Sequence, residues 1–312
     1  MKDPRLLLAV ICLILLVGYI SFNELRIVNT KEVKPEPQIF QEIPEDPIIP
    51  HKNVSISLPD NLNFAGELVP LGITDVKERL DRELHINSYW HNNSIFLIKR
   101  ANRWFPEIEK IIARYNIPDD FKYIPVIESA LINDISPKGA IGFWQFMKAT
   151  AGEYGLIVNK EVDERYNPLK STEAACKYLR KAYEKFGSWT LAGASYDAGM
   201  RRIERSLEQQ KVDSYYDLLL NGETSRYVFR ILAVKELLGD PEKYGFQISK
   251  EHLYQWEPQR EVEITETIPD LVAFANSHNI NLKILKRHNP WLRSNKLTVR
   301  KGTKFIISVP DN

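Results

Sequence analysis

From about residue 70 to 250, apolar side chains recur at intervals of three and four, the period of helices with one face in a core. Residues 76–84 and 95–115 carry this period, as does 227–238, which closes at Gly239 and Asp240-Pro241. Ser171 or Thr172 is positioned to cap a helix through Ala174, Ala175, Tyr178, Leu179, Ala182 and Phe186 that stops at Gly187. Ser188 is placed to cap the next, and Thr150-Ala151-Gly152-Glu153 has the form of a capping box. After about residue 255 the texture changes. Glu261-Val262-Glu263-Ile264 alternates like a strand, 268–275 and 282–288 read as short helices, and 304–309 reads as a second strand. The pattern predicts a mainly α chain, with a helical body over 59–250 and a small α+β module of order βααβ over 251–312.

The N-terminal pattern is different. Lys2 and Arg5 precede a run over 6–22 that is apolar apart from Ser21 and carries no charge. Its length is at the lower edge of a membrane-spanning helix. The small-residue site of a cleaved signal peptide is poorly formed at 18–22, and no small residue precedes Cys12 as a lipoprotein site requires. An N-terminal transmembrane anchor over 1–23 is therefore favoured over a signal peptide. Pro35, Pro37, Pro44, Pro47 and Pro50 make 24–58 a semi-stiff, Pro-rich linker rather than a core element.

Charge and cysteine content narrow the function. Lys+Arg is 42 against Asp+Glu 41, so charge gives no case for nucleic acid as the partner. Cys12 lies within the apolar run, which argues against a disulfide with Cys176. His51, His85, His91, His252, His278 and His288 show no metal-ligand spacing, so neither a metal nor a cofactor is expected.

One stretch carries candidate chemistry. In 117–131, Pro118 suits the first turn of a helix, and Asp119 and Asp120 suit its positive end. Phe121, Ile124, Glu128 and Leu131 follow at steps of three, four and three, on one face that is apolar except for Glu128. Pro125 is expected to kink the segment. A carboxyl in such a stripe loses solvation, which raises its pKa and lets it deliver a proton near neutral pH. A structural ion pair of Glu128 with Arg226 or Arg230 is the alternative. Two glycines lie within 136–146, where Phe143 and Trp144 either offer flat faces for sugar or are the core aromatics of an ordinary turn, and Gln145 offers a donor and an acceptor. Tyrosines and tryptophans enrich the same region, a composition that suits a carbohydrate cleft and a helical core equally.

These residues carry a resemblance. Ile124-Pro125-Val126-Ile127-Glu128-Ser129 resembles the catalytic Glu-Ser motif of the lysozyme-like soluble lytic transglycosylases. Gly142-Phe143-Trp144-Gln145 is similar to that family's Gly-Leu-Met-Gln motif, Ser195-Tyr196-Asp197-Ala198-Gly199 to its Ala-Tyr-Asn-x-Gly motif, and 223–228 to the last motif, which holds a Tyr near the catalytic Glu. Asp163, Arg165 and Pro168 ahead of a helix are a further shared feature. Over 268–275, 285–290 and 301–310 the C-terminal module resembles a degenerate LysM domain, a peptidoglycan-binding fold.

The resemblance implies a lysozyme-like catalytic fold and a lyase acting on peptidoglycan glycan strands. It implies Glu128 as the single acid/base, Tyr227 as its orienting partner, and Ser129, Gly142, Gln145, Tyr196 and Asp197 as substrate-binding positions. It also places the body in the cell envelope, outside the cytoplasm, tethered by the anchor. The family has Asn where this chain has Asp197, which raises the expectation of some hydrolysis beside anhydro-ring closure. A muramidase cleaving the same bond and a non-catalytic wall-binding scaffold are the competing functions.

Overall fold

A short antiparallel hairpin, β1 (Asn63–Phe64) and β2 (Glu67–Leu68), leads into the helical body. The structure is a computed structural model that describes Tyr19, residues 55–89 and residues 91–311. All of the expected anchor except Tyr19, and most of the expected linker, lie outside the described residues. Among those described, no helix is long and apolar enough to cross a membrane.

The fold is mainly helical. The body continues through α1 (Thr74–Tyr89), α2 (His91–Arg114), a 3-10 turn at Asp119–Tyr123, α3 (Ile124–Ser129), α4 (Lys148–Glu153), α5 (Pro168–Phe186), α6 (Trp189–Ala198), α7 (Met200–Gln210) and α8 (Thr224–Gly239). Helix α1 packs along α8, and α6 contacts both α5 and α8. Phe64, Phe121, Trp144 and Phe229 are fully buried where these helices meet.

Local chemistry shifts several expected boundaries. Helix α5 starts at Pro168 because Asn167 caps it, its side chain accepting from the amides of Leu169 and Lys170. Ser171 and Thr172, expected as caps, instead lie inside the helix, where their hydroxyls donate back to the carbonyls of Asn167 and Pro168. Thr150 is likewise interior to α4, which starts after Met147 without a side-chain cap. Ser188 does cap α6, and Gly187 ends α5 in the left-handed conformation.

The C-terminal module is a two-stranded antiparallel sheet of β3 (Gln259–Ile264) and β4 (Phe305–Pro310), with α9 (Leu271–Ser277) and α10 (Leu282–His288) between them in sequence. Asp270 caps α9, so this helix begins later than its apolar pattern predicts, and Ile268 bridges to Leu297 instead. The module's core of Leu271, Leu285, Leu297 and Ile307 is not closed on itself. Ile141, Val162 and Tyr166 of the helical body belong to the same apolar cluster. Backbone bonds reinforce the join, from Asp163 N to Trp291 O (2.9 Å) and from Arg293 N to Glu161 O (2.8 Å). The Glu161 carboxylate also accepts from Thr298 N at 2.8 Å. Residues 54–312 accordingly form one compact unit.

The hairpin has one specific task. The Glu67 carboxylate sits at the N-terminus of α6, accepting from Trp189 N (2.5 Å), Thr190 N (2.9 Å), Ser188 Oγ (2.9 Å) and Thr190 Oγ1 (2.6 Å). It meets amides that no helical carbonyl can reach, and its charge suits the positive end of the dipole. Replacing Glu67 with Ala should lower unfolding stability by about 1–3 kcal/mol, and Gln should lose less. Denaturant titration of both variants checks this, and equal loss in the two would contradict it.

Candidate active site

Glu128 lies near the end of α3, on a segment that is two short helices rather than the single kinked one expected. The 3-10 turn at Asp119–Tyr123 hands over at Ile124, and Pro125 occupies the first turn of α3, where no amide hydrogen is needed. Pro125 thus starts a helix instead of bending one. The helix stops directly after Ser129, because Ala130 (φ 54°) and Leu131 (φ 56°) are both left-handed. Two consecutive non-glycine residues in this region store backbone strain next to Glu128. Arg230 donates to Ile127 O at 2.6 Å and Arg100 to Ala130 O at 3.2 Å, satisfying carbonyls at this C-terminal end. The apolar stripe survives the break, since Phe121, Ile124 and Leu131 are buried.

Glu128 itself is half-buried, and Tyr227 Oη donates to its Oε1 at 2.6 Å. Burial pushes the carboxyl above the usual carboxylate range. The Tyr227 hydrogen bond and the Arg230 guanidinium oppose this, while the charges of Asp197 and Glu223 push further up. No ion pair to Glu128 exists among the described residues. Arg226 is bound to the buried carboxylate of Glu83, with Nε–Oε1 at 2.6 Å, and Arg230 serves the Ile127 carbonyl. The ion-pair alternative for Glu128 therefore has no partner here. Tyr227 is buried on α8, and burial raises its phenol well above the ordinary value, so it remains a donor.

The loop after α3 is held to that helix by Ser129, the residue next to Glu128, whose hydroxyl donates to Phe143 O at 2.9 Å and Pro125 O at 3.0 Å. Of the two readings of Phe143 and Trp144, burial selects core over sugar-facing surface, and Trp144 Nε1 donates to Thr172 Oγ1 at 2.8 Å. Both side chains anchor the loop as core. Gln145 remains partly open and left-handed (φ 47°), its amide nitrogen donating to Gly142 O at 2.8 Å and Asp134 O at 3.2 Å. Its carbonyl oxygen has no protein partner among the described residues, which leaves an acceptor for a ligand. Gly142 is required by space as well as by dihedral. At φ 83° a Cβ would stand 2.0 Å from Arg165 O.

Arg165 is the residue whose role the sequence did not reveal. Its guanidinium pairs with Asp163, Nε–Oδ1 at 2.9 Å and Nη2–Oδ2 at 2.7 Å, and its Nη1 donates to the carbonyls of Gly139 and Phe146, each at 3.3 Å. This buried fork ties both ends of the Gln145 loop to the segment that enters α5. The spacing of Asp163 and Arg165 was visible, but their target carbonyls are about twenty residues away and carry no side-chain signal.

Helix α6 brings the remaining candidates. Tyr196 Oη donates to Trp144 O at 2.8 Å, and Asp197 Oδ2 accepts from Thr224 Oγ1 at 2.7 Å. Burial raises the Asp197 carboxyl, the Thr224 bond opposes that, and Glu223 adds to it. Of the predicted site residues, Tyr227 of α8 touches Glu128 directly, Asp197 acts on it through its charge, and Ser129 and Tyr196 bind the Phe143 and Trp144 carbonyls of the loop that carries Gly142 and Gln145.

Known proteins show the same sequence blocks. Residues 107–218 match the transglycosylase SLT domain, and residues 260–312 match the soluble lytic transglycosylase C-terminal LysM-like domain. The chain is homologous to membrane-bound lytic murein transglycosylase D from two strains of Escherichia coli. Identity is 27% over 194 residues, covering 59% of this chain and 42% of each relative. The chain thus spans less than half the length of these relatives. A solved structure of an inactive mutant of the lytic transglycosylase Slt from Pseudomonas aeruginosa aligns with 57% of this chain and 33% of its own, at 20% identity and a TM-score of 0.36.

Replacing Tyr227 with Phe removes a donor that favours the charged form of Glu128, so the Glu128 pKa rises further. The alkaline limb of the pH–rate profile should move to higher pH. Loss of orientation should reduce kcat roughly tenfold, about 1–2 kcal/mol. An unmoved alkaline limb would show that Glu128 is not the titrating acid.

Proposed function

We propose that this chain, which joins a transglycosylase SLT domain to a LysM-like domain, cleaves the β-1,4 bond between N-acetylmuramic acid and N-acetylglucosamine in peptidoglycan. The observation that carries the reading is the Tyr227–Glu128 contact at 2.6 Å, made by a carboxyl whose pKa burial raises and which has no ion-pair partner among the described residues. Homology to lytic murein transglycosylase D supports the same substrate.

In this mechanism Glu128 donates its proton to the glycosidic oxygen as the bond to C1 breaks. The 2-acetamido group of the muramic residue stabilises C1. Glu128, now a carboxylate held by Tyr227, accepts the proton of the muramic C6 hydroxyl, and O6 closes on C1. The product is a 1,6-anhydro end. No water is consumed, and the acid is regenerated. One residue serves as acid and then base, which a raised pKa permits. No second carboxylate nucleophile is needed, which separates this scheme from two-carboxylate glycoside hydrolysis. The Gln145 carbonyl oxygen, Tyr196 and the Ser129–Phe143 corner position sugar. We assign the body to the outer side of the cytoplasmic membrane, tethered by 1–23. The uncharged apolar run and the membrane-bound relative support this.

Asp197 favours a share of hydrolysis. Its carboxylate is held by Thr224 close enough to raise the Glu128 pKa, and it can hold a water against C1. Mass spectrometry of digested sacculi tests both parts. Wild type should release anhydro ends with some reducing ends, Asp197→Asn should shift the ratio toward anhydro ends, and Glu128→Gln should lower release roughly a hundredfold or more. Undiminished release by Glu128→Gln would overturn the assignment of the acid. Wild-type products that are purely anhydro would remove the hydrolytic share.

A further inference from the structure

A cavity of about 550 Å³ lies apart from Glu128, between α2, the start of α5 and the outer face of the β3–β4 sheet. On the sheet side Glu261, Ile306 and Ser308 line it, while Phe305, Ile307 and Val309 turn inward to the module's core. Trp256 and Trp104 stand edge to face at 5.4 Å, both partly open to the cavity. Trp104 also packs edge-on against Phe143 at 4.9 Å, so one wall of the cavity touches the back of the Gln145 loop.

The charges here do not cancel locally. The single carboxylate of Glu257 faces the guanidinium of Arg287, that of Arg103 at 3.7 Å and the imidazole of His288 at 3.6 Å. Both guanidinium groups are permanently charged. Burial lowers the His288 pKa, so the imidazole is neutral near pH 7. One positive charge is left over beside the indoles. Lys110–Glu107 and Arg114–Glu173 pair one to one at the cavity, and Lys170 is bound to Glu164. Glu261 is exposed on β3, and its carboxylate has no partner among the described residues. The cavity thus presents a surplus cation, a free carboxylate and aromatic surface within one enclosure. A neutral sugar chain has nothing to meet those two charges. A short peptide with a free carboxylate and a free amino group does.

We propose that this cavity is a second peptidoglycan site, which takes the zwitterionic peptide stem. A stem carboxylate would sit at Arg103 and Arg287, the stem ammonium at Glu261, and the alanyl methyl groups against Trp104 and Trp256. The inference rests on the function proposed above, and it adds recognition of the stem to cleavage of the glycan. Contact of Trp104 with Phe143 joins the two sites physically.

The test is calorimetric titration of the full chain carrying Glu128→Gln, the variant expected to suppress turnover during the measurement. One probe is the free stem tetrapeptide L-Ala-γ-D-Glu-meso-diaminopimelate-D-Ala, and the other is peptide-free glycan. The tetrapeptide should bind, and Arg287→Ala should weaken it about tenfold or more. Glu261→Gln, a change at an exposed strand position that preserves the fold, should weaken it comparably. Peptide-free glycan should bind equally with and without either change. No tetrapeptide binding, binding insensitive to both changes, or equal weakening of glycan binding would each overturn the proposal. Sacculus cleavage by wild type is measured alongside. Intact cleavage without tetrapeptide binding sinks the second site alone, whereas tetrapeptide binding without cleavage sinks the role of Glu128 and leaves the cavity assigned.

Discussion

A carboxyl group placed where its charge is poorly solvated is the constraint around which the rest of this structure is arranged. Glu128 makes no ion pair among the described residues, and the Arg230 guanidinium offsets only part of the cost of burial. The carboxyl gains a single hydrogen bond from Tyr227 and sits near the negative groups Asp197 and Glu223. Such an arrangement opposes ionisation, and a protein optimised for stability alone would replace it with an ion pair or an apolar side chain. The nearby guanidinium groups are committed elsewhere, Arg226 to Glu83 and Arg230 to the Ile127 carbonyl. The local strain at Ala130 and Leu131 falls on the same segment. Destabilising features concentrated at one carboxyl are what an acid poised to release its proton requires.

Holding that carboxyl in place takes contacts from far along the chain. Tyr227 comes from α8, while Asp197 and Tyr196 come from α6, whose N-terminus is fixed by Glu67 of the hairpin. The Gln145 loop is tied by the Asp163–Arg165 fork on one side and by Ser129 on the other. The C-terminal module joins this scaffold, because Ile141 and Tyr166 lie in its apolar core and Trp291 O accepts the amide of Asp163. The module is thereby coupled to the loop that presents Gln145, whatever it binds on its own surface.

Much of the architecture was legible because it rests on periodicity. The mainly helical body, the strand–helix–helix–strand order and the stop at Gly187 all follow from spacing and end chemistry. Glu128 stood out as one charge in an apolar stripe. The start of α5 was misplaced because Asn167 and Ser171 are equally good cap types, and Pro168 at the first helical turn was the signal that selects Asn167. Phe143 and Trp144 look alike whether they face a sugar or a core, and only packing decided for the core. Arg165 and Glu67 act on backbone groups distant in sequence, so side-chain identity at their targets reveals nothing.

The most direct measurement is the titration of the Glu128 carboxyl itself, by carbon-13 NMR of selectively labelled full chain with Glu128→Gln to assign the resonance. The account predicts a midpoint above the ordinary glutamate value of about 4.3. A midpoint at or below that value would mean the carboxyl is ionised at neutral pH and is not the proton donor.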